Sequence, residues 1–138
     1  MTRPSAERML LDMALVAATR STCSRLHVGA VLASTDGHVL STGFNGSPAG
    51  RPHCVHRDDR PCRRAQHAER NAIVFAARYR GGAEGAVLYL SHAPCLDCAG
   101  MVINAGIAEV VYLERYRSDE GVRELLAAGV VVRHYSGP

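Results

Sequence analysis

The stretch 86-AVLYLSHAPCLDCAGMVINAGIAEVVYL-113 decides the fold. Its first six residues are a short, β-rich apolar run, which predicts a strand over 86–91. Pro94 then suits the start of a helix, because its missing N–H would have no intrahelical partner there. That helix runs from about 95 to 104 and closes near Gly106, and 109-EVVYL-113 predicts the next strand. The alternation continues with a charged helix over about 119–128 and a strand over 130–134. Strands that alternate with helices imply crossover connections, hence a sheet covered by helices on both faces.

Working back toward the N-terminus, 28-VGAVLAS-34 and 38-HVLSTGF-44 read as a hairpin turning at Thr35, Asp36 and Gly37. A helix over 66 to about 80 carries Ala72, Ile73, Ala76 and Ala77 on its apolar side, with Gly81-Gly82 as its stop. Pro4 and Ser5 open a first helix reaching about residue 20, whose apolar repeat is Met9, Met13, Val16 and Ala17. The predicted order is α-β-β-α-β-α-β-α-β. Residues 45–64 hold three prolines and little periodicity, and an irregular connection of that length is expected to be functional or tied down. The 138 residues fit one domain over 1–138, with 136–138 expected to fray.

The chain is 47% apolar and 21% charged, which suits a globular protein. A net charge of +3 suits an anionic small molecule as well as a nucleic acid and so decides neither. Glu7, Arg8 and Asp12 interrupt the N-terminal apolar residues, against a signal peptide, and no apolar run is long enough to span a membrane. Five cysteines, an odd number without an export signal, argue for free thiols or metal ligands and a cytoplasmic address.

Two thiolates and an imidazole make a three-ligand set for Zn²⁺ with the fourth position open. Cys95 and Cys98, three apart at a helix start, face one side, and His67 at the start of another helix supplies the third ligand. The helix dipole favours thiolate there. Glu69, two residues after a ligand, is placed to move protons beside the open position. The matching reaction is hydrolytic deamination of a carbon that bears an exocyclic amine. A structural zinc clip, serving a non-enzymatic interaction module, would need a fourth ligand and give Glu69 no use. A redox C-x-x-C would leave both His67 and Glu69 without a role.

The pattern H-A-E followed by P-C-x-x-C resembles the signature of zinc-dependent nucleobase deaminases. With 23-CSRLHVGAVL-32, 42-TGFNGSPAG-50, 53-HC-54, 62-CRRAQHAERNAI-73 and 109-EVVYLERY-116, the chain resembles the deoxycytidylate (dCMP) deaminase family over about 20–116. It departs from the usual pattern at Phe44, where tyrosine is more common. General cytidine deaminases have cysteine at the position of His67. Adenosine deaminases of tRNA lack the G-F-N-G-S-P loop followed by H-C.

The resemblance implies a three-layer α-β-α fold, a five-stranded mixed sheet flanked by helices. It also implies hydrolysis of dCMP to dUMP and ammonia for thymidylate synthesis, a homo-oligomer (often a hexamer), and dCTP and dTTP as effectors. Arg25 corresponds to a phosphate-reading position, and Asn45 and Ser47 to ones that contact sugar and phosphate. Ala68 joins the candidate substrate set, as does Tyr116 with Arg115 or Arg117 beside it, on the loop after a strand's C-terminal end, where ligands bind in open α/β sheets. On residue chemistry alone, Asn45 also reads as a turn residue taking positive φ. Arg115 and Arg117 also read as solvated charges. Cys23, Cys54, Cys62 and His53 form a candidate second zinc set, against the alternative of three reduced thiols. A deaminase of another free base or nucleoside, or of a base in tRNA, is the nearest rival. With no tryptophan, two phenylalanines and five tyrosines, the chain is thinly supplied for stacking nucleic-acid bases, which favours a free nucleotide.

Overall fold

The computed structural model describes residues 2–55 and 64–138. Helix α1 (Ala6–Ala18) starts at Ser5, whose hydroxyl accepts from the Arg8 N–H at 3.0 Å. Strands β1 (Gly29–Ala33) and β2 (Val39–Phe44) form the expected hairpin, turning at Gly37 with φ 88°. Helix α2 (Ala68–Arg80) follows and ends at Gly81 in the left-handed conformation. Then come β3 (Val87–His92), α3 (Leu96–Asn104), β4 (Glu109–Glu114), α4 (Glu120–Ala127) and β5 (Val131–His134).

The sheet order is β2-β1-β3-β4-β5. Strand β1 pairs antiparallel with both β2 and β3, while β3-β4 and β4-β5 are parallel, so the sheet is mixed and five-stranded as expected. Alternation along each strand separates two cores. Ala30, Leu32, Leu88, Leu90, Val110 and Tyr112 pack with α2, α3 and α4 on one face. Val31, Ala33, Val87, Tyr89 and Val111 pack with α1 on the other. The result is three layers.

The face of α1 departs from the sequence reading. Leu10, Leu11, Ala14 and Ala18 are buried, whereas Met9 is 46% and Val16 67% exposed. Both sets have helical spacing, so periodicity alone could not choose between them. Close approach to the sheet decides it. A Cβ on Gly29 would stand 1.7 Å from the Ala14 carbonyl oxygen, so the contact admits only glycine below and small alanines above. Helix α2 is likewise drawn onto β2: a Cβ on Gly43 would lie 2.2 Å from the Ala68 carbonyl oxygen. It begins two residues later than predicted, because Gln66 is held in a bridge with Gly46. Ala77, expected on its apolar side, is exposed.

Antiparallel β2-β1-β3 and parallel β3-β4 bring one set of chain ends together. The start of β1, the ends of β2, β3 and β4, and the start of α2 all open at the same end of the sheet. No helix among the described residues is long and apolar enough to cross a membrane.

Candidate active site

His67 and Cys95 are the N-caps of α2 and α3, with extended backbones (φ −72°, ψ 155° and φ −74°, ψ 171°). Neither side chain caps its own helix. Both turn instead toward a shared point, where Cys98 from the first turn of α3 and Glu69 from the first turn of α2 join them. One ligand atom from each of His67, Glu69, Cys95 and Cys98 lies within 4.8 Å of every other. Glu69 is 4% exposed and Cys98 fully buried, while His67 and Cys95 are half-buried.

His67 Nδ1 lies 3.2 Å from Cys98 Sγ and 3.6 Å from Cys95 Sγ. Around a tetrahedral Zn²⁺, with bonds of about 2.3 Å to sulfur and about 2.05 Å to nitrogen, such corners stand about 3.6 Å apart. The three side chains therefore fit one zinc ion, with Nδ1 as the histidine's ligand atom. Glu69 Oε1 is 3.5 Å from the same Nδ1. Its carboxylate is the fourth member of the cluster, on the side that two sulfurs and one nitrogen leave.

The groups of the cluster shift the protonation of His67, Cys95 and Cys98. Cys98 first, and His67 after it, draw the Cys95 thiol down to about 3, so Cys95 is a thiolate. His67 is pushed up to about 10, chiefly by Cys95 and then by Glu69. The Cys95 thiolate, burial and Glu69 push Cys98 well above the ordinary thiol range. A buried acid and a thiolate share one small volume, an arrangement suited to a divalent cation, while the helix N-termini favour the thiolate.

The remaining expected residues surround this end of the sheet. Arg25 is exposed on the segment between α1 and β1. Asn45, 8% exposed, uses both ends of its amide on that segment: Oδ1 accepts from the Val28 N–H at 2.8 Å and Nδ2 donates to the Leu26 carbonyl at 2.6 Å. The turn reading of Asn45 is overturned, since no described residue other than glycine has positive φ. What holds Asn45 is hydrogen bonding, not left-handed backbone. Ser47 donates its N–H to Thr22 Oγ1, and its buried hydroxyl has no partner among the described residues. Ala68 is buried in the first turn of α2. Arg115 is exposed, and half-buried Tyr116 lies under the Arg117 guanidinium at 5.5 Å.

Of the second zinc set, Cys23 is buried, Cys54 half-buried and His53 exposed, and Cys62 lies outside the described residues. Among the described residues, Cys23, Cys54 and His53 do not form a three-ligand group.

Two residues near the cluster drew no attention in the sequence. Asn71 Nδ2 donates to the Phe44 carbonyl at 2.8 Å, tying the first turns of α2 to the end of β2. Ser91, 1% exposed, accepts from the Gly29 N–H at 2.9 Å and lies 2.8 Å from His92 Nδ1, whose basicity burial lowers. The one signal was the polarity of Ser91 at the end of an apolar run; Asn71 follows Glu69 and Arg70 and gave none.

Comparison with known proteins agrees with this geometry. Residues 4–114 match the family model for the cytidine and deoxycytidylate deaminase zinc-binding region. A deoxycytidylate deaminase of Saccharomyces cerevisiae is 38% identical over 97% of this chain, and a Schizosaccharomyces pombe one 38% over 99%. The chain spans about half the length of these two relatives, 46% of each. The ComE operon protein 2 of Bacillus subtilis is 38% identical over 96% of this chain and 72% of its own length. A crystal structure of dCMP deaminase from cyanophage S-TIM5, in complex with dCMP and dUMP, superposes with a TM-score of 0.90 at 31% identity, covering 98% of this chain and all of that one.

Proposed function

Because this chain belongs to the cytidine and deoxycytidylate deaminase zinc-binding family, we propose that it hydrolyses dCMP to dUMP and ammonia, supplying dUMP for thymidylate synthesis. One observation carries the reading: His67 Nδ1 stands at zinc-corner spacing from both sulfurs, and the buried carboxylate of Glu69 completes the same cluster. A structural clip would need the fourth corner filled, and the described residues offer only Glu69 there.

His67, Cys95 and Cys98 hold the metal in this reading. Zinc, when bound, supplies the Lewis acidity that makes water a competent nucleophile near neutral pH. Glu69 takes a proton from the attacking water as its oxygen bonds to C4 of cytosine, and delivers that proton to ring N3. It then carries the remaining hydroxyl proton to the exocyclic amine. The C4–N4 bond breaks, and ammonia and the uracil ring are left. Burial of Glu69 keeps these transfers from bulk water. Arg25 reads the phosphate, and Ser47, Asn45, Ala68, Arg115 and Tyr116 line the nucleotide's path. Asn45 does so by fixing the segment that carries Arg25.

The family likeness also supports a homo-oligomer, a hexamer in this reading, with dCTP and dTTP as effectors. An odd number of cysteines, two of them in the candidate metal set, supports a reducing, cytoplasmic compartment in this reading. An ammonia-release screen of the purified protein against dCMP, CMP, dCTP, deoxycytidine, adenosine, guanine and a tRNA anticodon stem tests the substrate. Preference for dCMP is expected. Release from the tRNA or from adenosine alone would overturn the reading. Sedimentation with and without dCTP or dTTP tests the assembly, and a monomer indifferent to both would remove it.

A further inference from the structure

We propose that Gly121, in the first turn of α4, is a positioning residue that seats the metal ligand Cys95 by direct contact with its backbone. The inference rests on the reading of Cys95 as a zinc ligand. A Cβ built on Gly121 would stand 2.2 Å from the Pro94 carbonyl oxygen and 2.8 Å from both the carbonyl carbon and oxygen of Cys95. No side chain fits at those distances, so α4 rests with bare backbone on the peptide that precedes the ligand's helix. Gly121 is buried and does not have the positive φ that would explain a glycine by conformation.

The ligand peptide is restrained on its other sides as well. The Ala93 N–H donates to the Glu114 carbonyl at 2.9 Å, Pro94 is fully buried, and the Cys95 carbonyl accepts from the Ala99 N–H at 2.9 Å. Gly121 closes the remaining side. It also lies five residues after Tyr116, so α4 joins the segment proposed to meet substrate to the backbone of a metal ligand. Groups that orient a ligand from outside the coordination sphere typically change metal affinity by about 10- to 100-fold when altered.

The test compares zinc-loaded wild type with three variants. Gly121→Ala places a methyl group against Cys95. Gly100→Ala adds the same methyl on the ligand's own helix, where nothing lies within 4 Å. Gly129→Ala strains the far end of α4, where φ is 87°, without touching the ligand. Zinc release to a chromogenic chelator should be about 10- to 100-fold faster in Gly121→Ala only, and its Co²⁺-substituted form should show an altered thiolate-to-metal band. Gly129→Ala should lower the melting temperature while leaving both readouts as in wild type. Equal acceleration in Gly121→Ala and Gly129→Ala, or none in Gly121→Ala, would overturn the proposal.

Should Gly121→Ala fail to fold, hydrogen exchange on wild type decides. Zinc removal should deprotect the α4 amides from Arg123 on, where backbone hydrogen bonding begins, and leave those of α1 unchanged; unchanged α4 amides would overturn the proposal. Wild type that binds no zinc would instead count against the metal reading itself.

Discussion

Each side chain at the site answers for a separate free-energy difference. Arg25, exposed beside the cluster's end of the sheet, has a charge-assisted contact to phosphate as its assigned task. Arg25→Ala should raise KM for dCMP about 10- to 100-fold while leaving deoxycytidine nearly unaffected, as steady-state kinetics on the two substrates will show. Equal changes on both would remove Arg25 from phosphate recognition. Glu69→Gln preserves size and removes the proton carrier. Zinc content by metal analysis should stay at the wild-type level, with kcat lower by about 10²- to 10⁴-fold.

This cluster was legible because its chemistry is restrictive: ligand types, spacing and acid all had to agree before the chain was folded. Asn45 was less so. Sequence marked it as a substrate-binding residue with a turn role as the alternative, while the fold uses its amide to clamp residues 26 and 28, a partnership across 17 and 19 positions that no local pattern encodes. Gly121 gave no sign at all, since backbone-to-backbone approach exists only after α3 and α4 have packed.

Elements were read correctly in type and order because strand and helix periods differ sharply and glycine or proline marks most ends. What eluded the sequence was rotation. Helix α1 carries apolar residues around much of its circumference, and only the seat on Gly29 selects Leu10 over Met9. Leu10→Ala should cost about 2–5 kcal/mol in denaturant unfolding, against about 0.5 kcal/mol or less for exposed Val16→Ala. Reversed magnitudes would restore the face expected from sequence.

The same helix is tied to the sheet edge by charge. Arg133 of β5 pairs with Glu7 of α1 and, at 2.6 Å, with Glu109 of β4. The hydrogen bond from Arg133 holds the Glu7 carboxyl below its ordinary 4.5, outweighing the opposing effect of burial. A carboxyl lowered on folding contributes stability above its unfolded pKa and loses it as pH falls through the folded value. Glu7→Gln should therefore cost about 0.5 kcal/mol at pH 7, discounted for exposure and salt, and nothing well below pH 4. A cost that persists in acid would show that the pair is not its source.

On the scale of the whole molecule, two questions concern sufficiency. The first is metal content. Cys23, Cys54 and His53, with Cys62 outside the described residues, are the candidate set for a second zinc, and metal analysis that returns close to two zinc per chain would support it. One per chain would leave the catalytic set alone. The second question is whether a chain spanning 46% of its fungal relatives carries the reaction by itself. Every residue assigned to zinc, proton transfer and phosphate lies within it.

The most direct test is turnover of dCMP by zinc-loaded protein in ¹⁸O-labelled water, with nucleotide and ammonia measured together. The expected result is dUMP bearing one heavy oxygen, one ammonia per dUMP, and loss of both products when a chelator strips the metal. Unlabelled dUMP, or no dUMP from a protein that holds its zinc, would contradict hydrolysis at this site.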